Sequence, residues 1–295
     1  MTAVSSDGGP PIAVGVRRAR VALAWYFAFV LLGSVPCYAL VIAGDSDVEA
    51  HPFAMLALMW TPAVSALLAR LISGVRFDAG SFCLRGARAW AMLGLAWLSP
   101  LIVGLCAYPP AWLSGLERFE PPSLGMADAP GLAKLAASIA VSLTVGTALS
   151  AISATGEELG WRGYMLPRLI DAQLPRPVLI SGTVWAAWHL PLIVSGQYAV
   201  GRLSWLSPPL FALTVIAASF VFARVRIESG SVWPAVLLHS AWNALIQGTF
   251  DTFTAGGDAG HGSALWTGES GILVAVTTAL FAWFLARRAP LSARA

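Results

Sequence analysis

Residues 132–163 read LAKLAASIAVSLTVGTALSAISATGEELGWRG. From 132 to 156 the run carries a single charge, Lys134 near its start. At 1.5 Å per residue it is long enough to cross the ~30 Å hydrocarbon layer of a bilayer as a helix. It then meets two adjacent carboxylates, Glu157 and Glu158, followed one turn later by Arg162. The stretch therefore raises two questions together: a membrane fold, and why acids stand where the apolar run ends.

The whole chain answers the first. Of 295 residues 57% are hydrophobic and 11% charged, against about 25% charged in soluble domains. Such a chain lacks the polar residues to cover a soluble surface of this size. A cytosolic globular enzyme and a disordered chain are excluded. So is a nucleic-acid binder, because a net charge of +3 supplies no basic face. Cys37, Cys83 and Cys106 have no spacing that reads as a disulfide framework or zinc ribbon.

Working outward from 132–156, seven further apolar segments of spanning length follow the same pattern: 21–43, 53–72, 89–109, 178–195, 209–225, 232–249 and 271–286. The expectation is an all-α polytopic membrane protein of about eight transmembrane helices. Arg17, Arg18 and Arg20 before the first segment resemble a signal-peptide start, but the segment is too long and lacks a cleavage site, so it reads as a retained span. Eight spans place every basic residue except Arg118, Lys134 and Arg202 on one side, while Asp45, Asp47, Glu49, Asp251, Asp258 and Glu269 fall on the other. By the positive-inside rule both termini face the cytoplasm, and the expected location is the plasma membrane. The domain reading is a tail at 1–20, one transmembrane domain at 21–288 and a tail at 289–295. Pro36, Pro62 and Pro100 fall inside the first three spans, and no internal repeat is visible.

Ionisable groups within spans are costly and mark candidate sites. Glu158 and Arg162 stand at i,i+4 and can pair along one helix face. Glu157 has Trp161 at the same offset, which is no counterion, so it is the carboxylate left for general-base work. The alternative is a helix end with solvated charges at the interface. His189 lies about 16 Å into its span, one turn beyond Trp185 and two residues before Pro191. His239 and Asn243 share a face at i,i+4 and could hold a water, a metal or a developing oxyanion. Either histidine could instead be interhelix hydrogen bonding. Three spans bringing a carboxylate, two histidines and an amide to one layer favours a shared polar site, sufficient for water activation with or without a metal. His51 and His261 are expected in solvated loops.

These residues resemble the CAAX protease and bacteriocin-processing family of intramembrane proteases. The Glu-Glu-x-x-x-Arg motif is matched by Glu157, Glu158 and Arg162. The His-x-x-x-Asn motif is matched by His239 and Asn243. Phe-x-x-x-His is matched at His189, with Trp185 in place of the Phe. The motifs occupy roughly residues 130–250. The resemblance implies a cavity open to the cytoplasm and the inner leaflet. In it Glu157 and His189 would activate water, His239 and Asn243 would stabilise the oxyanion, and Glu158 with Arg162 would orient Glu157. Trp185 would reshape the pocket. The cofactor is then either none or zinc, the latter on Glu157, His189 and His239. The partners implied are a peptide or protein substrate, lipidated or leader-bearing, and the bilayer itself; nucleic acid is not among them.

Two rival readings use the same residues, a transporter with a polar relay and a non-catalytic immunity or scaffold protein. Two structural expectations remain. Glu157 sits at a span boundary and His189 near mid-bilayer, so span four must continue past Gly156, or span five start later, for them to share a water. Residues 161–176, mixing Trp161, Tyr164 and Leu166 with Arg168 and Asp171, read as an interfacial helix shielding the site, with an ordinary inner loop as the alternative.

Overall fold

The computed structural model describes residues 11–43, 50–74, 78–82, 86–125, 128–199, 204–255 and 265–288. Asp45, Asp47, Glu49, Arg76, Arg85, Arg202, Asp258, His261 and Arg294 lie outside the described residues, as do the side chain of Cys83 and the tails at 1–10 and 289–295.

Each expected span falls on a helix. They are α1 (Pro11–Ala43), α2 (Pro52–Ser73), α3 (Gly86–Leu113), α4 (Gly131–Asp171), α5 (Pro177–Val194), α6 (Ser207–Ser229), α7 (Trp233–Trp242) and α8 (Ile272–Arg288). Among the described residues there is no β-strand, only an isolated bridge between Phe119 and Thr254. The chain is thus an all-α polytopic membrane protein. Its outer surface carries Leu31, Leu32, Leu71, Leu149, Ile152 and Trp283 exposed, a coat that suits lipid and not water.

Among the described residues six helices, α1 to α6, are long and apolar enough to cross a membrane, against the eight expected. Helix α7 continues directly as a π-helical segment, Asn243–Phe250, and a 3-10 turn, Asp251–Phe253. It has the length, but His239, Asn243 and Gln247 dilute its apolar content. Helix α8 has 17 residues, about 25 Å at 1.5 Å each, somewhat short of a bilayer core. At the other end of the chain α1 begins at Pro11, so much of the segment expected as a tail is helical. Prolines open α2 and α5, where a missing N–H costs nothing. Gly74 and Gly230 end α2 and α6 at φ +65° and +69°, a conformation that favours glycine.

Helix α4 corrects two expectations. It runs through Gly156 to Asp171, so Glu157 lies within a continuous helix and not at its end. Residues 161–171 are correspondingly no interfacial helix: Trp161, Arg162, Tyr164, Met165, Leu166 and Leu169 are all buried. The reason is packing from α1 and α2. The Tyr26 ring meets those of Trp161 and Tyr164, and the Arg70 guanidinium lies over Tyr164.

Two π-helical turns interrupt α4, Ser142–Gly146 and Trp161–Met165. A widened turn displaces carbonyls from the regular ladder, and those carbonyls need donors. Trp97 Nε1 donates to the Leu143 carbonyl at 2.9 Å. Arg226 Nε donates to the Arg162 carbonyl at 3.0 Å and Arg70 Nη2 to that of Gly163 at 3.3 Å. Two arginines assigned to one face of the membrane by charge counting thus also secure the turn that follows the glutamates.

Gly156 and Gly160 bracket those glutamates. A Cβ on Gly156 would lie 2.7 Å from the Met59 carbonyl oxygen, and one on Gly160 would lie 2.3 Å from Pro62 Cβ and 2.5 Å from its carbonyl carbon. This small-x-x-x-small spacing lets α2 and α4 meet backbone to backbone, which drives helix association where lipid removes the hydrophobic effect. Gly160→Ala is expected to lower stability by about 1–3 kcal/mol or more through overpacking against backbone. Gly94→Ala on α3, where a Cβ meets nothing within 4 Å, is expected to be neutral or slightly stabilising. Unfolding in mixed micelles measures both, and equal effects would contradict the close approach.

Candidate active site

The π turn at Trp161–Met165 begins directly after the helical segment that carries Glu157 and Glu158, and both carboxylates are buried. Their surroundings differ as the helix offsets require. Glu158 Oε1 accepts from Arg162 Nη1 at 2.7 Å and from His239 Nδ1 at 3.0 Å. The Arg162 guanidinium lies between two aromatic rings, 4.1 Å from the Trp185 centroid and 4.2 Å from that of Phe222. Its Nη2 donates to Ser219 Oγ at 3.3 Å. Gly182 of α5 permits this arrangement, because a Cβ there would stand 2.9 Å from Ser219.

Glu157 has no arginine. Its Oε2 accepts from two indoles, Trp185 Nε1 at 2.9 Å and Trp161 Nε1 at 3.3 Å. Its Oε1 faces His239 Nε2 at 4.0 Å. The residue thought to leave Glu157 unaccompanied, Trp161, is therefore one of its donors. Trp185 does more than shape the pocket, since a phenylalanine at this place has no N–H to give.

His189 Nδ1 donates to the Trp185 carbonyl at 2.9 Å, which places the imidazole proton on Nδ1 and leaves the Nε2 lone pair open. The ring is walled by Trp188, Phe211 and a stacked Tyr198. His239 holds Glu158 with Nδ1, so its Nε2 is the nitrogen turned toward Glu157.

Glu157, His189, His239 and Asn243 line one cavity, together with Gln247, Tyr198 and an apolar wall from α2 of Met55, Leu58 and Met59. A second cavity shares His189, His239, Asn243 and Tyr198 and is lined by Trp185, Phe211, Phe222 and Glu269. The structure thus brings together all four residues expected to carry chemistry, with Glu158 and Arg162 behind them. The interhelix-bonding alternative holds in part, because His239 is both a bridge to Glu158 and a lining residue.

Zinc fits this arrangement poorly. Ligands each about 2 Å from one ion sit little more than 3 Å apart, whereas Glu157 Oε1 and His239 Nε2 are 4.0 Å apart. Among the described residues no three His, Cys, Asp or Glu side chains group to hold a metal ion.

Sequence reasoning did not find Tyr198, Gln247 or Glu269. Gln247 carried a signal, following Asn243 at the same i,i+4 offset. Tyr198 lies in the turn after α5, and Glu269 was assigned to an acidic outer loop. Tyr198 Oη donates to Glu269 Oε2 at 2.5 Å, Trp242 Nε1 to Glu269 Oε1 at 2.7 Å, and Gln247 Nε2 to Tyr198 Oη at 2.9 Å. Burial, reinforced by Glu269, pushes the Tyr198 phenol well above its ordinary value, so it remains a donor at physiological pH. Asp251, also assigned to that loop, is buried and accepts from Tyr108 Oη at 2.5 Å; burial pushes its carboxyl up to about 7.

Comparison with known proteins falls on this same region. Residues 137–245 match the model of the family described as type II CAAX prenyl endopeptidase Rce1-like. A protein of Methanococcus maripaludis named CAAX prenyl protease 2 is 30% identical over 93 residues, which is 30% of this chain and 34% of that protein. The chain thus spans about a third of the length of that relative. Both findings support the CAAX protease family that the motifs resemble. Glu157, Glu158, Arg162, Trp185, His189, His239 and Asn243 all lie within 137–245, whereas Glu269 lies beyond it.

Trp185→Phe keeps an aromatic shelf for Arg162 and leaves Glu157 Oε2 with Trp161 alone. A hydrogen bond to a buried charge is worth about 1.5–3 kcal/mol, so a loss of that order is expected in unfolding measurements. Unchanged stability would contradict the Trp185–Glu157 bond.

Proposed function

We propose that this protein, on its support within the CAAX protease family, is an intramembrane endopeptidase that hydrolyses peptide bonds by a glutamate-activated water. The observation that carries the reading is the cavity that Glu157, His189, His239 and Asn243 line in common. The chemistry follows from which atoms are free. Glu157 Oε1 and His189 Nε2 are the acceptors that hold a water between them. Glu157 takes one proton from that water as its oxygen bonds to the substrate carbonyl carbon. Negative charge passes to the carbonyl oxygen, where His239 Nε2–H and the Asn243 amide donate to it. Donation from both nitrogens makes His239 an imidazolium, and Glu157 and Glu158 supply its counter-charge. The proton held by Glu157 then moves to the amide nitrogen, the C–N bond breaks, and an acid and an amine leave.

Glu158 and Arg162 take no proton in this scheme. They hold His239 and fix the helix face on which Glu157 stands. On this reading the cavity opens toward the cytoplasmic side, as the family resemblance implies, in a plasma membrane with both termini inside, the orientation that charge placement along the sequence supports. Substrates are peptides, lipidated or leader-bearing, that reach it from the cytoplasm or the inner leaflet.

The test uses the full chain purified into bilayers, with cleavage of a peptide library read by mass spectrometry. Wild-type protein is expected to cleave, and Glu157→Gln to lose at least about 10³-fold in kcat, as for loss of a base acting in concert with its partners. Cleavage is expected to persist in a strong zinc chelator. Full activity in Glu157→Gln contradicts the proposal. Loss on chelation, reversed by zinc alone, contradicts the metal-free route.

A further inference from the structure

Glu269 is a charged side chain at the cavity that the proposed chemistry leaves unused. It reaches back from the segment before α8 and lines the cavity that also contains His189, His239 and Asn243. Both of its oxygens are engaged by short bonds, one from Tyr198 Oη at 2.5 Å and one from Trp242 Nε1 at 2.7 Å. Bonds to an ionised acceptor are the strong class, and a carboxylate held on both oxygens has a fixed orientation.

Each donor stands against a residue of the site. The Tyr198 ring stacks on His189, with centroids 5.9 Å apart and 27° between planes, and meets Phe211 edge-on at 5.9 Å. Its hydroxyl is fixed a second time by Gln247. Trp242 immediately precedes Asn243 at the point where α7 widens into its π-helical segment. A second tie joins the same segments, Ser270 Oγ donating to the Ala199 carbonyl at 2.6 Å. Besides Tyr198, His189 has its Nδ1 bond to the Trp185 carbonyl one turn back on its own helix and ring contacts with Trp185, Trp188 and Phe211, so the ring plane is set by its neighbours.

We propose that Glu269 is a positioning residue for the hydrolytic site, fixing the His189 ring through Tyr198 and the turn that presents Asn243 through Trp242. The inference rests on the protease reading for its consequence in catalysis. Its structural part stands apart from that reading. The brace comes from outside residues 137–245, so the segment before α8 completes a site whose reacting groups lie elsewhere. With both of its oxygens already engaged, Glu269 acts on the geometry of water activation, and so on kcat rather than KM.

Two single variants and their combination test it in the full chain in bilayers. Glu269→Gln keeps the shape but offers one acceptor oxygen where two donors point. Tyr198→Phe keeps the stack on His189 and cuts the tie. Each is expected to lower kcat about tenfold with KM within about twofold, as for a misplaced but intact catalytic group. The double variant is expected to be no worse than the poorer single, since both cut one connection. Independent, multiplying losses, or a change confined to KM, overturn the proposal. Nitrogen-15 spectra of the histidine rings supply a readout that needs no cleavage: the His189 signals are expected to shift or broaden in Glu269→Gln while those of His51 stay in place. If wild-type protein cleaves and the His189 signals do not move, the brace is wrong and the protease reading stands. If no peptide is cleaved and the signals do move, the brace stands and the protease reading fails.

Discussion

A carboxylate and a guanidinium that water does not reach, Glu158 and Arg162, meet at 2.7 Å inside an apolar bundle, and the rest of the site follows from that pairing. Charges so buried must be paired and hydrogen-bonded, and breaking such a pair costs about 3–5 kcal/mol. The surroundings are built accordingly. Trp185 and Phe222 sandwich the guanidinium, Ser219 takes its second nitrogen, and His239 Nδ1 shares Glu158 Oε1 with Arg162. Four helices thereby converge on one pair: α4, α5, α6 and α7.

Helix geometry turns that pairing into a division of labour. Residues adjacent on a helix point about 100° apart. With Glu158 committed to Arg162, Glu157 looks elsewhere, into the cavity, with indole N–H groups on one oxygen and the other facing His239. Backbone contact of α2 at Gly156 and Gly160 holds the same two turns from the other side. The glutamates are thus fixed on a rigid element and clamped between helices, which suits the role proposed for Glu157, a base held within hydrogen-bond reach of a water.

Much of this was legible in the sequence because its causes are local. Apolar run length gives the helices, and the i,i+4 offset gives the Glu158–Arg162 pair and the shared face of His239 and Asn243. Other features were not legible because their causes lie far along the chain. Whether α4 stops at Gly156 or continues is tied to partners far along the chain: Tyr26 and Arg70 pack on Trp161 and Tyr164, which are buried in the bundle. The π turns depend on donors from Trp97, Arg70 and Arg226. Trp185 showed itself as an aromatic on the correct face, but the partner of its N–H is 28 residues away. Glu269 offered no pattern at all: a lone acid beside a helix start reads as a solvated loop, and only the fold carries it to Tyr198 and Trp242.

The division of labour between the two glutamates is tested most directly by the unfolding free energies of Glu157→Gln and Glu158→Gln, measured side by side in mixed micelles. Glu158→Gln leaves Arg162 buried without its counter-charge and is predicted to lose about 3–5 kcal/mol. Glu157→Gln keeps an acceptor oxygen for both indoles and is predicted to lose less than about 1 kcal/mol. Equal losses, or a larger loss for Glu157→Gln, would contradict the assignment of chemistry to one glutamate and structure to the other.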